Sequence, residues 1–464
     1  MTPQSAFRNP HFLLVALLCL VLLSCPRKQA DIRGVSGPSR WVTNSPATFV
    51  AALTGVNTDW TDGRFGWGDT VSDWIAIGVG DTAFSAEHSW SRVGSYGVRA
   101  MLHKRLANAD AISEWSDSLL VRIDSGPVLL ATIPVGAGPR ALLYNPVSDM
   151  VFCANAGANS ISVIDGDSDL VAETRTGASL PLAMALDATD SKVYVALAGS
   201  ARVIVFSGYG NQVLAEIPVG RGPCALAWNP GGNKVYCANG QDSTVTVISA
   251  ASDSVLRTVA VGFEPQCLVR NPDLNRVYCG IAVMDTFPNK IAVIDGTTDE
   301  ILGFVRVDGA PLALAYDSVS RKLFCAGSSG VLTVIDGMSH AVLDTPYVGV
   351  QPVALEIDYA HANLYVANQG GPGVTIVSTA TNQVVGHVLV GSQPVALLWD
   401  AGQDVVYCAN SGSDNVSMID VVSLEEIGTA ATGTRPWVMC RNTRNGKLYV
   451  ANRGSASVSV FRSP

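Results

Sequence analysis

Short apolar runs separated by polar turns follow one another from about residue 128 to the end of the chain, and their order repeats. In the copy at residues 390–432 the runs predict four short strands, which are Ala396–Trp399, Val405–Ala409, Val416–Asp420 and Glu425–Thr429. A turn with Gly ahead of Pro precedes the first strand, and its proline recurs at intervals of 41 to 46 residues, at positions 139, 181, 223, 265, 311, 352, 394 and 436. A period of about 42 residues with four strands per copy is typical of β-propeller blades.

The two ends of this repeat region complement each other. Residues 128–133 match the fourth strand of each copy, whereas the last copy supplies only three strands, at Val438–Arg441, Lys447–Ala451 and Val458–Phe461. Because an open ring of sheets would leave strand edges unpaired, we expect the N-terminal strand to complete the last blade as its outer strand. Counting the strands in this way predicts eight blades, with seven as the alternative.

The second strand of the repeat carries a recurring motif. It reads Leu-Tyr-Val-Ala-Asn at 364–368 and 448–452, and Val-Tyr-Cys-Ala-Asn at 235–239 and 406–410. In these motifs residues 128–464 resemble the YVTN β-propeller family. The resemblance implies a secreted or surface-layer propeller, and since the family's usual blade number is seven, it is the reason that seven blades stay open.

Residues 41–125 form a different region, which holds six of the nine tryptophans and alternates apolar with polar positions. No helical period is present, so the pattern predicts a small β-sandwich. The segments Phe-Gly-Trp-Gly-Asp-Thr at 65–70, Ala-Glu-His-Ser-Trp at 86–90 and Gly-Ser-Tyr-Gly-Val at 94–98 resemble the polycystic kidney disease (PKD) domain, an Ig-like sandwich. The resemblance implies an extracellular spacer or adhesion module. Turn and core packing are expected for Trp67, Asp69, His88 and Trp90, with a sugar-stacking platform as the alternative.

The N-terminal 24 residues contain one basic residue, Arg8, followed by the apolar run Phe12–Leu23. This run is too short to cross a bilayer and predicts an export signal. Leu-Leu-Ser-Cys at 22–25 resembles a bacterial lipobox, which implies lipidation of Cys25, with simple cleavage as the alternative. Residues 25–40 predict a polar tether. We therefore expect an exported protein, either a lipoprotein of the bacterial cell envelope or surface, or a secreted one, and membrane contact only through the lipid anchor.

Charge and motif content exclude several classes of function. The net charge is −9 at pH 7 and no run of Lys or Arg is present, which argues against nucleic acid as a partner. Gly78–Ala83 matches a dinucleotide-binding pattern by spacing, but no helix pattern follows it. Because haem-attachment, zinc-protease and serine-hydrolase motifs are absent, we expect no cofactor, no metal site and no catalytic residues.

Cysteine usage also follows the repeat. Five cysteines occupy one position of the second strand, where other copies have valine: Cys153, Cys237, Cys279, Cys325 and Cys408. Equivalent positions in neighbouring blades lie too far apart for a disulfide, whose Cα atoms are within about 7 Å of each other. We expect these cysteines to replace a buried valine as free thiols, and we predict no disulfide framework.

The remaining recurrent residues have structural explanations. The glycine of the turn is expected to supply an unusual φ, and the asparagine that ends the second strand to bind local backbone donors. Aspartate at the end of the third strand precedes glycine in several copies, which predicts Asx turns rather than a ring of carboxylates, at Asp165, Asp295, Asp336 and Asp420.

Candidate binding residues are those that vary among the copies on one face. In propellers, the loops from fourth to first strand and from second to third strand surround the central channel on the same face. The candidate set on this face comprises Arg221, Phe263, Glu264, Asp285, Arg435, Trp437 and Arg453. The copy that contains residues 281–290 has an insertion there, which makes that loop the best single candidate for recognition.

These observations favour a monomeric binding or adhesion protein that docks a surface protein or a polysaccharide on its loop face. The alternative is a hydrolase of lactonase type, since related propellers include lactonases. Clustered His and carboxylate side chains at the channel mouth would favour the enzyme, and the sequence places none there.

Overall fold

A computed structural model of the chain describes residues 31–43, 46–54, 60–104, 111–124, 126–209, 212–282, 288–371 and 373–462. Within these ranges the chain forms strands and turns and no helix, so the all-β prediction is confirmed. In the same ranges there is consequently no apolar helix of membrane-spanning length. The chain divides into two compact units, one ending at Ile123 and the other beginning at Asp124.

The described residues of the N-terminal unit form nine strands in two sheets. Its strands are β1 (Ile32–Ser36), β2 (Arg40–Val42), β3 (Ala47–Leu53), β4 (Asp62–Gly66), β5 (Ile75–Ala76), β6 (Ala83–His88), β7 (Gly94–Lys104), β8 (Ala111–Ile112) and β9 (Leu119–Asp124). One sheet has the order β1-β3-β6, and the other has β2-β9-β7-β4-β5 with β8 beside β7. The predicted tether at 25–40 is therefore too long. Ile32 and Val35 pack against the core, and this segment adds a strand to β3 because its apolar side chains gain burial there.

Tryptophans fill the core of this unit. Trp67 stacks on Phe65 at 4.9 Å between ring centroids and on His88 at 4.8 Å. The Trp90 indole N–H donates to the Trp67 carbonyl at 3.2 Å, and His88 Nε2 lies 3.1 Å from Asp69 Oδ1. Trp67 and Trp90 are at most 2% exposed. The expected turn and core roles of these residues are confirmed.

The second unit consists of eight four-stranded antiparallel sheets. Sheets 1 to 7 follow the chain: sheet 1 is β11 (Pro139–Asn145), β12 (Met150–Asn155), β13 (Ser160–Asp165) and β14 (Val171–Thr176); sheet 2 is β15 (Pro181–Asp187), β16 (Lys192–Leu197), β17 (Arg202–Ser207) and β18 (Val213–Pro218); sheet 3 is β19 (Pro223–Asn229), β20 (Lys234–Asn239), β21 (Thr244–Ser249) and β22 (Ser254–Ala260); sheet 4 is β23 (Pro265–Asn271), β24 (Arg276–Ile281), β25 (Lys290–Asp295) and β26 (Ile301–Arg306). Sheet 5 is β27 (Pro311–Asp317), β28 (Lys322–Gly327), β29 (Leu332–Asp336) and β30 (Val342–Asp344); sheet 6 is β31 (Pro352–Asp358), β32 (Asn363–Asn368), β33 (Gly373–Ser378) and β34 (Val384–Leu389); sheet 7 is β35 (Pro394–Asp400), β36 (Val405–Asn410), β37 (Asn415–Asp420) and β38 (Glu425–Ala431).

Sheet 8 joins the two ends of this unit. It consists of β39 (Pro436–Arg441), β40 (Lys447–Asn452), β41 (Ser457–Arg462) and, as its outer strand, β10 (Val128–Pro134). Thr132 lies opposite Ser459, and Ile133 lies opposite Val458. The first strands of neighbouring sheets contact one another in a closed cycle, in which β11 also meets β39. The predicted closure by an N-terminal outer strand is confirmed, and the arrangement is that of a β-propeller.

Burial explains the different apolar patterns of the strands within each sheet. The second and third strands are buried on both faces, as in β20 and β21, because neighbouring sheets cover them. The fourth strands are largely exposed, and in β18 only alternate residues are covered. A strand covered on both faces requires a continuous apolar run, as the second and third strands have. A strand covered on one face requires apolar residues to alternate with polar ones, as in the fourth strands.

The turn glycine has the predicted positive φ in some copies and a different role in others. Several of these glycines have ordinary φ values, and the residue directly before proline often takes the left-handed conformation instead, as Gln393 does with φ 54° and Arg435 with φ 55°. A Cβ on Gly391 would come 2.8 Å from the Asn410 side chain, and one on Gly433 would come 2.8 Å from Asn452. The glycine is therefore required for close approach to the asparagine of the second strand.

The asparagine also differs from the prediction, because it binds side chains rather than backbone. Asn155 is buried and donates from Nδ2 to the hydroxyls of Ser160 and Ser162, at 3.2 and 3.0 Å. Asn452 does the same with Ser457 and Ser459, at 3.1 and 2.9 Å. The asparagine thus ties the second strand to the third. The aspartate prediction is confirmed, since Asp165 and its equivalents accept backbone N–H groups of the turns that follow them.

The cysteines of the described segments are free, as expected: Cys153, Cys224, Cys237, Cys267, Cys279, Cys325, Cys408 and Cys440. Burial raises the pKa of the Cys267 and Cys440 thiols to about 12. These thiols are therefore protonated at neutral pH, which makes them poor nucleophiles.

Candidate functional site

One end of the sheets carries the turns before the first strands together with the loops between second and third strands; we call it the loop face. The two kinds of segment are joined in every sheet by a hydrogen bond from the residue after the second strand to the carbonyl of the residue before proline. In sheet 3 the Gly240 N–H donates to Gly222 O at 2.9 Å, and in sheet 8 the Arg453 N–H donates to Arg435 O at 2.9 Å. Side chains at these two positions consequently lie next to each other.

A second recurrent feature aims a third side chain at the same face. The strand register shifts directly after the proline of each first strand, so that Arg140 in sheet 1 and Trp437 in sheet 8 occupy bulge positions. A bulge redirects the side chain of the extra residue. Because β11 contacts β39, these two side chains face each other across the junction of the last and first sheets.

At this junction lie four residues that we call the seam cluster: Arg140, Arg435, Trp437 and Arg453. The guanidinium carbon of Arg140 lies 4.8 Å from the Trp437 ring centroid, and that of Arg453 also lies 4.8 Å from it. These distances are typical of cation–π contacts. Arg140 and Trp437 are half-buried, whereas Arg435 and Arg453 are exposed.

Positive charge is concentrated in the seam cluster. Burial lowers the pKa of Arg140, and repulsion by Arg453 lowers it further. Asp414 contacts the cluster through the backbone, since its Oδ1 accepts the Arg435 backbone N–H at 2.7 Å. Asp414 therefore fixes the turn rather than neutralising a guanidinium group.

The other predicted binding residues lie apart from this cluster. Arg221 is engaged by its own sheet, since its Nε donates to Asp242 Oδ1 at 2.6 Å and Asp242 also accepts its backbone N–H. These hydrogen bonds and the Arg221 charge lower the pKa of Asp242. Arg221 is thus largely neutralised within the loop face.

Phe263 and Glu264 form the corresponding turn of sheet 4. Phe263 is 64% exposed, and Glu264 takes the left-handed conformation with φ 38°. The Glu264 carbonyl accepts the Ala282 N–H at 3.2 Å. Asp285 lies outside the described residues, as do 283–287 of the insertion that the sequence singles out. Cys25 also lies outside them.

Sequence reasoning missed Arg140. The position after the proline holds apolar or uncharged residues in the other copies: Leu182, Cys224, Gln266, Leu312, Val353 and Val395. Comparison of this one position across the copies singles out Arg140 and Trp437 together. Their contact, however, depends on ring closure, which brings residues almost 300 positions apart into one site.

Glu356 was missed as well. This residue lies on a first strand among apolar neighbours, and its Oε1 accepts the Trp399 backbone N–H of the next sheet at 3.1 Å. Burial raises the pKa of Glu356 to about 7, although the hydrogen bond from Trp399 acts in the opposite direction. Its proton is therefore exchanged close to neutral pH.

The histidines of the second unit have separate surroundings. His340 lies beside Arg276, His361 contacts Asp358 at 2.8 Å, and His387 contacts the Thr375 hydroxyl at 3.0 Å. Across the described ranges, no three His, Cys, Asp or Glu side chains are grouped as metal ligands would be. The geometry at the loop face is thus suited to electrostatic and aromatic contacts with a partner.

Comparison with known proteins agrees with this architecture. Residues 223–461 match the model of the YNCE-like beta-propeller family. No curated protein matches the chain at a significant level.

Solved structures show the same fold at low sequence identity. Sqt1 of Saccharomyces cerevisiae is 13% identical with a TM-score of 0.63, covering 73% of this chain and 100% of its own. BamB from Moraxella catarrhalis is 13% identical with a TM-score of 0.57, covering 72% of this chain and 99% of its own. Hydrazine synthase of Kuenenia stuttgartiensis is 17% identical with a TM-score of 0.52, covering 70% of this chain and 96% of its own. At these identities the likeness concerns the fold alone.

Proposed function

Since the chain belongs to the YNCE-like β-propeller family, we propose that it is an exported docking protein that binds a partner protein on the loop face of an eight-bladed propeller. The eight closed four-stranded sheets support the blade number. Propellers commonly serve protein interaction, and one structural neighbour, 18% identical with a TM-score of 0.50, is a chain of the mitotic checkpoint complex. We propose a monomer that binds without turning its partner over.

The observation that carries this proposal is the seam cluster. Its residues break the repeat, and they are half-buried or exposed on the face where loops converge. An arginine pair on a tryptophan supplies the residue types that are enriched at the centres of protein interfaces. The carboxylates and histidines near this face hold turns and strands in place, so docking explains the exposed groups better than hydrolysis does.

Binding of a polysaccharide would require an open aromatic ring at this site. Sugar rings bind to open aromatic faces, whereas the Trp437 ring carries two guanidinium groups. A protein partner is therefore the better match, with polysaccharide as the competing outcome of a binding test.

The N-terminal part of the chain completes the proposal. We assign the first unit as an Ig-like spacer of PKD type, which lies in the chain between the propeller and Cys25 as the lipidated anchor. Replacing Cys25 with serine is expected to move the exported protein from the membrane fraction to the soluble fraction. An unchanged distribution would contradict the anchor and leave docking as a separate question.

The docking proposal is tested by site-specific photo-crosslinking. Thr434 is exposed in the turn that contains Arg435 of the seam cluster, and Val319, in the hairpin between first and second strands at the other end of sheet 5, is 70% exposed. Each is replaced in turn by a photo-crosslinking amino acid, and the protein is irradiated in the cells that produce it. A discrete crosslinked protein from position 434 and none from 319 is the expected result. The same product from both positions, or from 319 alone, would contradict docking on the loop face.

A further inference from the structure

We propose that the seam cluster binds the carboxylates of an acidic polypeptide segment, with Arg140 and Arg453 as the residues that contact them. This inference rests on the proposed docking function and names the chemistry that the partner must present. Its basis is a concentration of positive charge on a chain whose net charge is −9.

Three positions of the repeat carry arginine only at the seam. Before the proline, Arg435 replaces Gly, Leu, Glu, Ala or Gln of the other copies. After the second strand, Arg453 replaces Gly, Ala, Ser or Gln, and after the proline Arg140 replaces uncharged residues. The backbone hydrogen bond between Arg453 and Arg435 exists in all eight sheets, so the fold does not need arginine at either place. The three arginine charges are therefore not explained by a role in the fold.

In the part of the chain that the structure describes, the two guanidinium groups on Trp437 have no counter-charge. Among the described residues, no carboxylate lies within ion-pair distance of Arg140 or Arg453, whereas Arg202, Arg221 and Arg441 each have one. Burial is the main reason that the pKa of Arg140 is lowered, and repulsion by Arg453 adds to it. An anion that binds both groups would remove that repulsion and gain charge-assisted hydrogen bonds.

The geometry also favours binding because the Arg140 side chain is ordered and partly desolvated before any ligand binds. This side chain is half-buried and lies over the Trp437 ring, which fixes its position and removes part of its hydration. Planar guanidinium groups bind carboxylates through two parallel N–H donors, and a fixed guanidinium loses less entropy when it does so.

The net negative charge of the chain favours a short acidic segment over a long polyanion as the ligand. A long polyphosphate or nucleic acid would extend from the cluster over a surface with net negative charge, which opposes binding. A short acidic segment on a protein places only a few carboxylates at the cluster. This contrast favours Asp and Glu side chains over a polyanion.

The experiment measures fluorescence anisotropy of a short labelled polyglutamate peptide with the purified full chain, and a polyglutamine peptide of equal length serves as the uncharged control. We expect saturable binding of polyglutamate alone, weakened when NaCl is raised from about 50 mM to about 300 mM because screening shortens the Debye length. The Arg140→Gln/Arg453→Gln variant is expected to bind at least about tenfold more weakly, since two charge-assisted contacts are lost.

Matched variants separate this site from a general charge effect. Arg202→Gln removes the same charge from an exposed residue that pairs with Glu216, and it should leave binding unchanged. Arg453→Gln alone removes an exposed side chain, so it provides a second variant with little risk to folding, and thermal melting confirms that each variant is folded.

Each outcome decides the proposal. Absence of polyglutamate binding by the folded protein, or equal binding by the double variant, would overturn it. Binding of polygalacturonate in place of polyglutamate would overturn the polypeptide assignment in favour of an acidic polysaccharide. If the crosslink from position 434 persists while polyglutamate fails to bind, docking stands and the carboxylate chemistry is wrong. If both fail, both proposals are wrong.

Discussion

The Cys153 thiol lies 3.3 Å from the Asn155 amide oxygen, two residues further along the same strand, and it is the donor for that buried acceptor. The same contact joins Cys237 to Asn239 and Cys408 to Asn410. Where valine replaces the cysteine, the oxygens of Asn368 and Asn452 have no hydrogen-bond partner in the described structure. The cysteine therefore does more than fill the space of a valine.

This contact predicts that Cys153→Val destabilises the protein by about 1 kcal/mol, because a buried acceptor loses its donor. The measurement is chemical denaturation monitored by fluorescence. Cys325→Val is the matched control, since Cys325 is equally buried but is followed two residues later by Gly327 rather than asparagine. Equal losses in both variants would show that the thiol acts by packing alone.

A buried contact of Lys234 and Tyr236 with Asp299, which we call the brace, joins neighbouring sheets and predicts a larger effect on stability. Lys234 Nζ lies 2.8 Å from Asp299 Oδ2 of the next sheet, and the Tyr236 hydroxyl donates to Asp299 Oδ1 at 2.7 Å. The Lys234 and Asp299 side chains are only 12% and 9% exposed, so Lys234→Met leaves a buried carboxylate without its cation. We expect a loss of about 3 kcal/mol in the free energy of unfolding.

An exposed ion pair provides the comparison for this variant. Arg202 and Glu216 are 49% and 44% exposed, and Arg202→Gln should cost at most about 0.5 kcal/mol. Losses of similar size in Lys234→Met and Arg202→Gln would contradict the brace.

Ring closure predicts a global effect from a local deletion. Removal of residues 128–133 leaves β41 with an unpaired edge and removes Ile133, which is 3% exposed, from the core. We expect lower thermal stability of the whole second unit and aggregation in size-exclusion chromatography, because exposed strand edges pair with other chains. Melting at the wild-type temperature would mean that β10 contributes nothing to closure.

Glu356 predicts a pH dependence of stability. Its pKa is raised from the ordinary 4.5 to about 7, so the folded protein retains this proton in a pH range where the unfolded chain has released it. The contribution of Glu356 to stability is therefore largest below about pH 4.5, falls as the pH rises to about 7, and stays low above that value. Glu356→Gln keeps the acceptor for the Trp399 N–H and should raise stability at pH 8 relative to the wild type.

The control for this prediction is Glu300→Gln, whose side chain is 64% exposed and lies 3.8 Å from Arg257. It should follow the wild-type pH profile of melting temperature. A profile of Glu356→Gln that also follows the wild type between about pH 4.5 and pH 7 would show that Glu356 does not titrate in this range.

The repeat made most of the fold predictable from sequence, because each four-stranded sheet is a local pattern of apolar runs and turns. Closure by residues 128–133 followed from counting strands, and the Asx turns followed from aspartate before glycine. The Lys234–Asp299 brace and the Arg140–Trp437 contact did not follow, since each joins residues of different sheets through loop geometry that local periodicity does not encode. The recurrent Lys-x-Tyr at 192–194, 234–236 and 447–449 was the available signal for the brace.

Recognition at the seam cluster is tested most directly by hydrogen–deuterium exchange of the full chain with and without the polyglutamate peptide. Slower exchange is predicted in the turn and strand that contain Arg140, in the turn before Trp437 and in the loop after Asn452, with no change in the hairpins between first and second strands. Protection confined to those hairpins, or no protection at saturating peptide, would contradict the account.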